Sequence, residues 1–394
     1  MTHYKNVILR KGKTESIRRF HPWIFSGALA QVSPDIQEGD IVRVLDAEGT
    51  YLCTGHFQGG SIAVRILSFE DVEIDSEFWN DAIEKALALR KDLNLKRKDN
   101  NTFRLIHGEG DNLPGLIVDI FDHTAVMQSH SYGMHLCRTE IAQALMQKCG
   151  DFIYAVYYKS ETTLPFKNGD VPENGFLIGQ TSDNVAIENG LRFHIDWLKG
   201  QKTGFFVDQR ENRQLLELLS KGKRVLNLFC YTGGFSVYAM RGGAEYVHSV
   251  DSSGKAIDLA TANMNLNFPE NKQHKEIVAD AFKYLDKTDV PYDLMILDPP
   301  AFAKHRGAIP NAIKGYTRLN AAAFSKIEKG GIVFTFSCSQ AINKEQFRQA
   351  VFTAAAQAKR DVKILYQLHQ PADHPINIFH PEGEYLKGLV LKVN

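Results

Sequence analysis

From about residue 207 onward, strand-length apolar runs alternate with helical stretches, and each run ends on a residue able to do chemistry. Arg224-Val225-Leu226-Asn227-Leu228 leads into the glycine turn Phe229-Cys230-Tyr231-Thr232-Gly233-Gly234-Phe235. Tyr246 to Val250 ends in Asp251, Glu276-Ile277-Val278-Ala279 in Asp280, Leu294 to Leu297 in Asp298, and Ile332 to Phe336 in the turn at Cys338. Helical patterns cover Gln209 to Leu219, the residues from the glycine turn to Met240, and Lys255 to Leu266. Such alternation is the pattern of a parallel sheet flanked by helices, an α/β fold whose ligands lie beyond the carboxyl ends of the strands. Gly233, Asp251, Asp280, Asp298 and Cys338 are therefore expected on one edge.

The rest of the chain reads differently. Between about 39 and 68, Ile41 to Leu45, Tyr51 to Phe57 and Ile62 to Leu67 are separated by Asp46-Ala47-Glu48-Gly49 and Gln58-Gly59-Gly60, the spacing of a small β-barrel. A helix is expected from Glu77 to Leu95, strands at Phe103 to Ile106, Leu116 to Ile120 and Thr124 to Gln128, a helix from Met134 to Lys148, and a strand from Phe152 to Tyr158. This is a mixed α/β middle region. Asn189-Gly190 between Asn184 to Glu188 and Leu191 to Ile195 predicts a hairpin with a type I′ turn.

Composition limits the function classes. No uncharged apolar run approaches the roughly 20 residues of a membrane span, and strand-like Val7-Ile8-Leu9 follows Met1-Thr2-His3-Tyr4-Lys5 in place of a signal core. A cytoplasmic protein is expected, without membrane partners. Cys53, Cys137, Cys149, Cys230 and Cys338 are odd in number and lack CxxC spacing, which argues against a disulfide framework or zinc site. His369, His374 and His380 are loosely spaced and predict no metal site. Net charge is zero, yet Lys5, Arg10, Lys11, Lys13, Arg18 and Arg19 run into Trp23, and a second cluster holds Arg90, Lys91, Lys96, Arg97 and Lys98. Phosphate binding needs local positive charge, so both clusters are candidates for nucleic-acid contact as well as solvated faces. Lys11, Arg18, Arg19 and Trp23 are the candidates carried forward; Trp23 beside Pro22 also reads as a packing anchor.

Thr232-Gly233-Gly234 is neither a GxGxxG fingerprint nor part of a P-loop. What remains is a glycine turn that lets backbone approach a ligand. Asp251 suits a ribose diol, and Asp280-Ala281-Phe282 offers hydrogen bonding and an apolar wall to adenine. Together they fit S-adenosylmethionine better than a nicotinamide cofactor.

Asn227-Leu228-Phe229-Cys230-Tyr231-Thr232-Gly233-Gly234-Phe235-Ser236, Val250-Asp251-Ser252-Ser253, Asp298-Pro299-Pro300-Ala301-Phe302 and Phe336-Ser337-Cys338-Ser339 resemble, in order, the motifs of the large-subunit ribosomal RNA cytosine-5 methyltransferase I family. Lys202-Thr203-Gly204-Phe205-Phe206-Val207-Asp208-Gln209-Arg210, Gly315-Tyr316 and Pro381-Glu382-Gly383-Glu384-Tyr385-Leu386-Lys387-Gly388 are similar to further signatures of that family. The resemblance runs nearly end to end. It implies a PUA RNA-binding domain over residues 1–72, a central α/β domain over 73–183, and a Rossmann-like class I methyltransferase domain over 184–394 that includes the hairpin. It implies S-adenosylmethionine as cofactor and large-subunit ribosomal RNA as partner, and leaves a homodimer open.

On this reading the cofactor side comprises Phe206, Asp208, Arg210, Phe229, Tyr231, Gly233, Gly234, Asp251, Ser252, Asp280, Ala281, Phe282 and Asp298. Phe206 would close over the methionine end, while for Asp208 and Arg210 a structural salt bridge is an equal reading. Carbon 5 of a pyrimidine is a poor nucleophile; a thiolate adding to carbon 6 makes it enamine-like, so covalent catalysis splits one hard step into easier ones. Cys338 is the candidate nucleophile, with Cys230 placed in the cofactor loop. Asp298 would hydrogen-bond or protonate the ring-nitrogen edge of cytosine. Pro299, Pro300 and Phe302 would form a stacking wall for a base taken out of its helix. Two other readings stay open: DPP-aromatic loops resemble the NPP-aromatic loops of amino methyltransferases, which points to a base nitrogen, and a non-catalytic RNA-binding or assembly factor belongs to a different class. Ala301 stands where some RNA cytosine-5 enzymes carry a second cysteine.

Overall fold

The computed structural model describes residues 4–164, 173–182, 184–303 and 305–394; Met1-Thr2-His3 of the N-terminal stretch discussed above lie outside the described residues. The chain divides into two compact units. The first comprises Met1–Asn189, Ile195–Val207 and Ala372–Gly383, and the second Gly190–His194, Asp208–Pro371 and Glu384–Asn394.

Two sheets make up most of the first unit. A six-stranded sheet has the order Trp23–Phe25, Ile62–Ser68, Tyr51–Phe57, Ile41–Leu45, Lys5–Leu9 and Leu29–Val32. Val7, Leu9, Val42, Val44, Val64 and Ile66 form its core, the alternation of a sheet with one packed face. A five-stranded sheet runs Gly175–Ile178, Ala155–Tyr158, Thr124–Ser129, Leu116–Phe121 and Thr102–His107. Helix Ser76–Asp92 packs Trp79, Ile83 and Leu87 into that sheet's core. Its start is set by Asp75, whose carboxylate accepts from the N–H groups of Glu77 and Phe78 at 3.0 Å. The helix expected over Met134 to Lys148 is two helices, Tyr132–Leu136 and Arg138–Cys149, because ψ of 7° at Cys137 turns the chain between them. Asn189 and Gly190, at φ of 50° and 81°, adopt the turn conformation that Asn-Gly predicts.

His56 is fully buried on Tyr51–Phe57, and burial, aided by Arg65, pushes its pKa down to about 4. A lowered histidine pKa means that the unfolded chain binds the extra proton first. Its contribution is complete above about pH 6.5 and is lost as pH falls toward 4, about 3 kcal/mol in all. Thermal melts across that window should show the decline, and His56→Gln should flatten it. An unchanged slope in the variant would mean that other groups set the acid limit.

In the second unit the strands are β1 (Arg224–Leu228), β2 (Tyr246–Asp251), β3 (His274–Val278), β4 (Tyr292–Leu297), β5 (Ile327–Ser337), β6 (Val362–Leu368) and β7 (Lys387–Val393). The sheet order is β3-β2-β1-β4-β5-β7-β6. Pairs among β1 to β5 are parallel, and β7 enters antiparallel to both β5 and β6. The order reverses beside β1, which has β2 on one side and β4 on the other. A crevice opens outside the carboxyl ends at such a switch point.

Helices α1 (Arg210–Leu218), α2 (Gly234–Arg241), α3 (Gly254–Asn267), α4 (Ala281–Lys287), α5 (Ile309–Lys326) and α6 (Lys344–Ala358) complete the unit. Ala312, Tyr316, Leu319 and Ala323 of α5, and Phe347, Val351 and Ala354 of α6, recur at helical spacing and share one core with Met295, Val333 and Leu391 of the sheet. Asn343 and Gln346 form a reciprocal capping box that starts α6 shortly after the Cys338 turn.

Candidate active site at the carboxyl edge of the sheet

Strand register places the candidate residues at comparable depth. Leu228 of β1 pairs with Val250 of β2 and Leu297 of β4, so Phe229, Asp251 and Asp298 emerge together. Leu297 also pairs with Thr335 of β5, and Cys338 therefore leaves the same edge slightly farther out.

On the β1 and β2 side, Phe229, Tyr231 and Gly233 all have positive φ, 57°, 45° and 74°. This tight left-handed turn delivers Gly233 to the start of α2. A Cβ on Gly233 would lie 2.9 Å from Ala260 Cβ and 3.1 Å from Ala260 Cα, so only glycine lets the loop lie against α3. Asn263 fixes the loop from α3 by donating to the Thr232 carbonyl at 2.9 Å. Asp251 accepts from Tyr231 N–H at 3.1 Å and from Ser253 N–H at 2.9 Å, one on each oxygen. A carboxylate offers about four lone-pair sites, so this one is held in place with acceptor capacity left for a diol. Ser252 beside it is exposed. Asp280 is exposed and accepts from Lys283 N–H at 2.9 Å, which makes it the N-cap of α4. Ala281 is buried, and half-buried Phe282 carries Arg318 over its ring at 4.4 Å. A glycine-bounded cradle, an oriented carboxylate and an aromatic wall fit an adenosine-bearing cofactor. Cys230 is buried, and burial, with Asp251 adding to it, pushes its thiol pKa far up, so it is not a ready nucleophile.

Across the switch point, Asp298 accepts from Gln209 Nε2 at 3.0 Å, and Asn212 steadies that amide at 2.6 Å. Pro299 is buried, Pro300 exposed and Phe302 half-buried. Phe302 leans on Tyr316 of α5, with ring centroids 4.7 Å apart, and Gly315 gives it room, since a Cβ there would sit 3.0 Å from the ring. The Asp298 loop and the Cys338 turn are tied directly: Ser339 Oγ donates to the Ala303 carbonyl at 2.5 Å. Ser337 Oγ donates to the Tyr316 hydroxyl at 2.9 Å. Burial pushes the Tyr316 phenol up to about 12, with Cys338 and Asp298 adding to it. Cys338 itself is half-buried.

Three further residues border this side. Asp208, buried, accepts from the Tyr385 hydroxyl at 2.7 Å, and Arg210 begins α1 buried. Lys387, the first residue of β7, pairs with Ser337 and is only 4% exposed. Gln209, Tyr316, Tyr385 and Lys387 lie in recognisable sequence motifs, yet nothing local marks them as neighbours of Asp298 or Cys338.

The first unit carries the remaining candidates. Phe206 is half-buried with Lys202 Nζ over its ring at 4.9 Å. Lys11, Arg18 and Arg19 are exposed, Arg19 in an ion pair with Glu15 at 2.6 Å. Trp23 is half-buried; its indole N–H donates to Glu109 at 2.8 Å, Arg65 lies over the ring, and His380 packs against it at 4.3 Å. Among the described residues, no group of three or more His, Cys, Asp and Glu could hold a metal ion, and no helix is long and apolar enough to cross a membrane.

Residues 172–376 match the S-adenosylmethionine-dependent methyltransferase family, and residues 7–69 match the PUA-like domain family. A protein of Alteromonas mediterranea named ribosomal RNA large subunit methyltransferase I is 39% identical over 98% of this chain and 98% of its own length. The chain belongs to that family. The Aeromonas hydrophila protein of the same name is 38% identical over 98% of this chain and 99% of its own. Among solved structures, a chain described as a SAM-dependent methyltransferase from Streptococcus mutans superposes with a TM-score of 0.84 at 22% identity, covering 99% of this chain and 100% of that one. The second unit is thus a class I methyltransferase sheet, the N-terminal sheet is PUA-like, and the cofactor is S-adenosylmethionine.

Proposed function

We propose that this methyltransferase modifies carbon 5 of a cytosine in large-subunit ribosomal RNA through a covalent adduct on Cys338. The observation that carries the proposal is the pairing of β4 with β5, which ends one strand at Asp298 and the next at Cys338, with Ser339 anchored to Ala303 between them. The names of the relatives support the RNA substrate.

S-adenosylmethionine supplies an electrophilic methyl group when bound. Gly233, Gly234, Phe229 and Tyr231 shape its cradle, Asp251 and Ser252 meet the ribose, and Asp280, Ala281 and Phe282 border the adenine. Phe206, Asp208 and Arg210 belong to its methionine end, toward which Asp298 also contributes. The Cys338 thiolate would add to carbon 6 as the carbon 5–carbon 6 double bond opens, with Asp298 stabilising charge at the ring-nitrogen edge, and carbon 5 would then take the methyl group with S-adenosylhomocysteine as the leaving group. Loss of the carbon 5 proton to water re-forms the double bond and expels the thiolate. Pro299, Pro300 and Phe302 hold the extruded base. Lys11, Arg18, Arg19 and Trp23 contact RNA from a PUA domain at 1–72, with a central domain at 73–183 and the catalytic domain at 184–394.

Ribosomal RNA carrying 5-fluorocytosine should trap the adduct, because fluorine cannot leave as the proton does. Wild-type protein with labelled cofactor should yield a denaturation-resistant protein–RNA species with label in it. Release of a nitrogen-methylated nucleoside from ordinary RNA, with no adduct on the fluorinated one, would replace this proposal by the amino-methylation reading that the Asp298-Pro299-Pro300 loop also suggests.

A further inference from the structure

We infer that Lys387 is a positioning residue whose buried ammonium holds Cys338 as a thiolate, an inference that rests on the proposed role of that cysteine. β7 runs antiparallel to β5, so its first residue arrives at the carboxyl end of β5, where Ser337 pairs with Lys387. Lys387 Nζ donates to the Ser339 carbonyl at 2.5 Å and to the Tyr385 carbonyl at 2.7 Å. One of these acceptors belongs to the residue directly after the cysteine. Both are neutral, and among the described residues no carboxylate lies within ion-pair distance of Nζ.

Burying a lysine without a counter-ion is costly. The sequence spends it between Leu386 and Gly388-Leu389-Val390-Leu391, where an apolar residue would continue the strand. An anion generated beside it recovers that cost. Burial pushes the Lys387 pKa down to about 8; Cys338 is the largest influence holding it up, followed by Glu384, while Lys344 lowers it. The coupling is reciprocal, so the same charge favours the thiolate.

The charged and titratable groups around the pair come from every neighbouring element. Asp298 follows β4, Tyr316 stands on α5 with its hydroxyl on Ser337, and Lys344 at the start of α6 is paired with Glu384 ahead of β7. Asp298 and Glu384 oppose a thiolate. Lys344 is engaged by Glu384 and more exposed, whereas Lys387 is buried and bonded to the carbonyl of the residue that follows the cysteine.

The test separates charge from hydrogen bonding. Lys387→Gln keeps an amide that can donate to both carbonyls but has no charge; Lys387→Arg keeps both. Iodoacetamide alkylation of Cys338, followed by peptide mass spectrometry as a function of pH on the full chain, reads the thiol directly. The wild-type midpoint should lie below the ordinary cysteine value of about 8.5. Lys387→Gln should raise it by about one unit, slowing alkylation at neutral pH roughly tenfold, and Lys387→Arg should restore it. A Lys387→Gln midpoint equal to wild type overturns the inference even if methylation is lost. So does a wild-type midpoint at or above the ordinary value, a result that requires no variant to fold. The 5-fluorocytosine adduct keeps the two claims apart: adduct formation with an unmoved midpoint removes only the role of Lys387, whereas absence of any adduct removes the role of Cys338 and this inference with it.

Discussion

Cys338→Ala should lower methyl transfer to unmodified ribosomal RNA by at least roughly 10³-fold, about 4 kcal/mol of transition-state stabilisation. Carbon 5 has no adequate nucleophilicity of its own, so removing the thiol removes the step that creates it. Cofactor affinity should stay close to wild type, because the cradle at Gly233 and Asp251 hangs from β1 and β2 while Cys338 leaves β5. The loss should therefore appear in kcat with little change in KM for S-adenosylmethionine. The thiol is half-buried and its neighbour Ser339 keeps its own anchor on Ala303, so the melting temperature should barely move. No substitute is available nearby, since Ala301 follows the Pro-Pro pair and Cys230 is held protonated by burial. Full methylation by the variant would sink the cysteine mechanism, whatever the substrate base.

Gly233→Val should weaken S-adenosylmethionine binding by roughly 100-fold or more and lower thermal stability as well. The left-handed backbone at φ of 74° costs a residue with a Cβ about 1–2 kcal/mol, more when β-branched. The added atoms also meet Ala260 Cβ and Cα inside contact distance. Relief requires moving either the loop or α3, and both carry the cradle: the loop presents Tyr231 N–H to Asp251, and α3 holds the Thr232 carbonyl through Asn263. Gly233→Ala should show the same signs with smaller size. Calorimetric titration and a melt on each variant make the measurement, and undiminished affinity in Gly233→Val would separate this turn from cofactor binding.

Most of the parallel sheet was legible because its central strands are apolar runs that stop at an aspartate, a glycine turn or the Ser337-Cys338 turn, a local signal needing no knowledge of neighbours. The Asn189-Gly190 turn was legible for the same reason. Residues whose position depends on distant pairing were not. Gln209 reaches Asp298 across 89 residues and Lys387 reaches the Ser339 carbonyl across 48, and no window of sequence contains either pair. Helices α5 and α6 and strands β6 and β7 also went unassigned, although Ala312, Tyr316, Leu319 and Ala323 show the helical period once the helix is known. At Cys137 a periodic apolar pattern continues through a backbone turn, because periodicity reports which face is buried and says nothing about where the axis changes direction. Asp280 shows the reverse ambiguity: a strand-end aspartate is equally an ordinary helix cap, and here it does cap α4.

The insertion of β7 between β5 and β6 has a consequence during protein synthesis. A nascent chain that has emerged as far as Leu368 already contains both flanking strands, yet the seven residues that join them are still to come. Until Lys387–Val393 arrives, β5 and β6 present open edges that invite pairing with other chains. A chain interrupted in that interval would expose two unpaired strand edges at once, the condition under which sheets pair between molecules and aggregate.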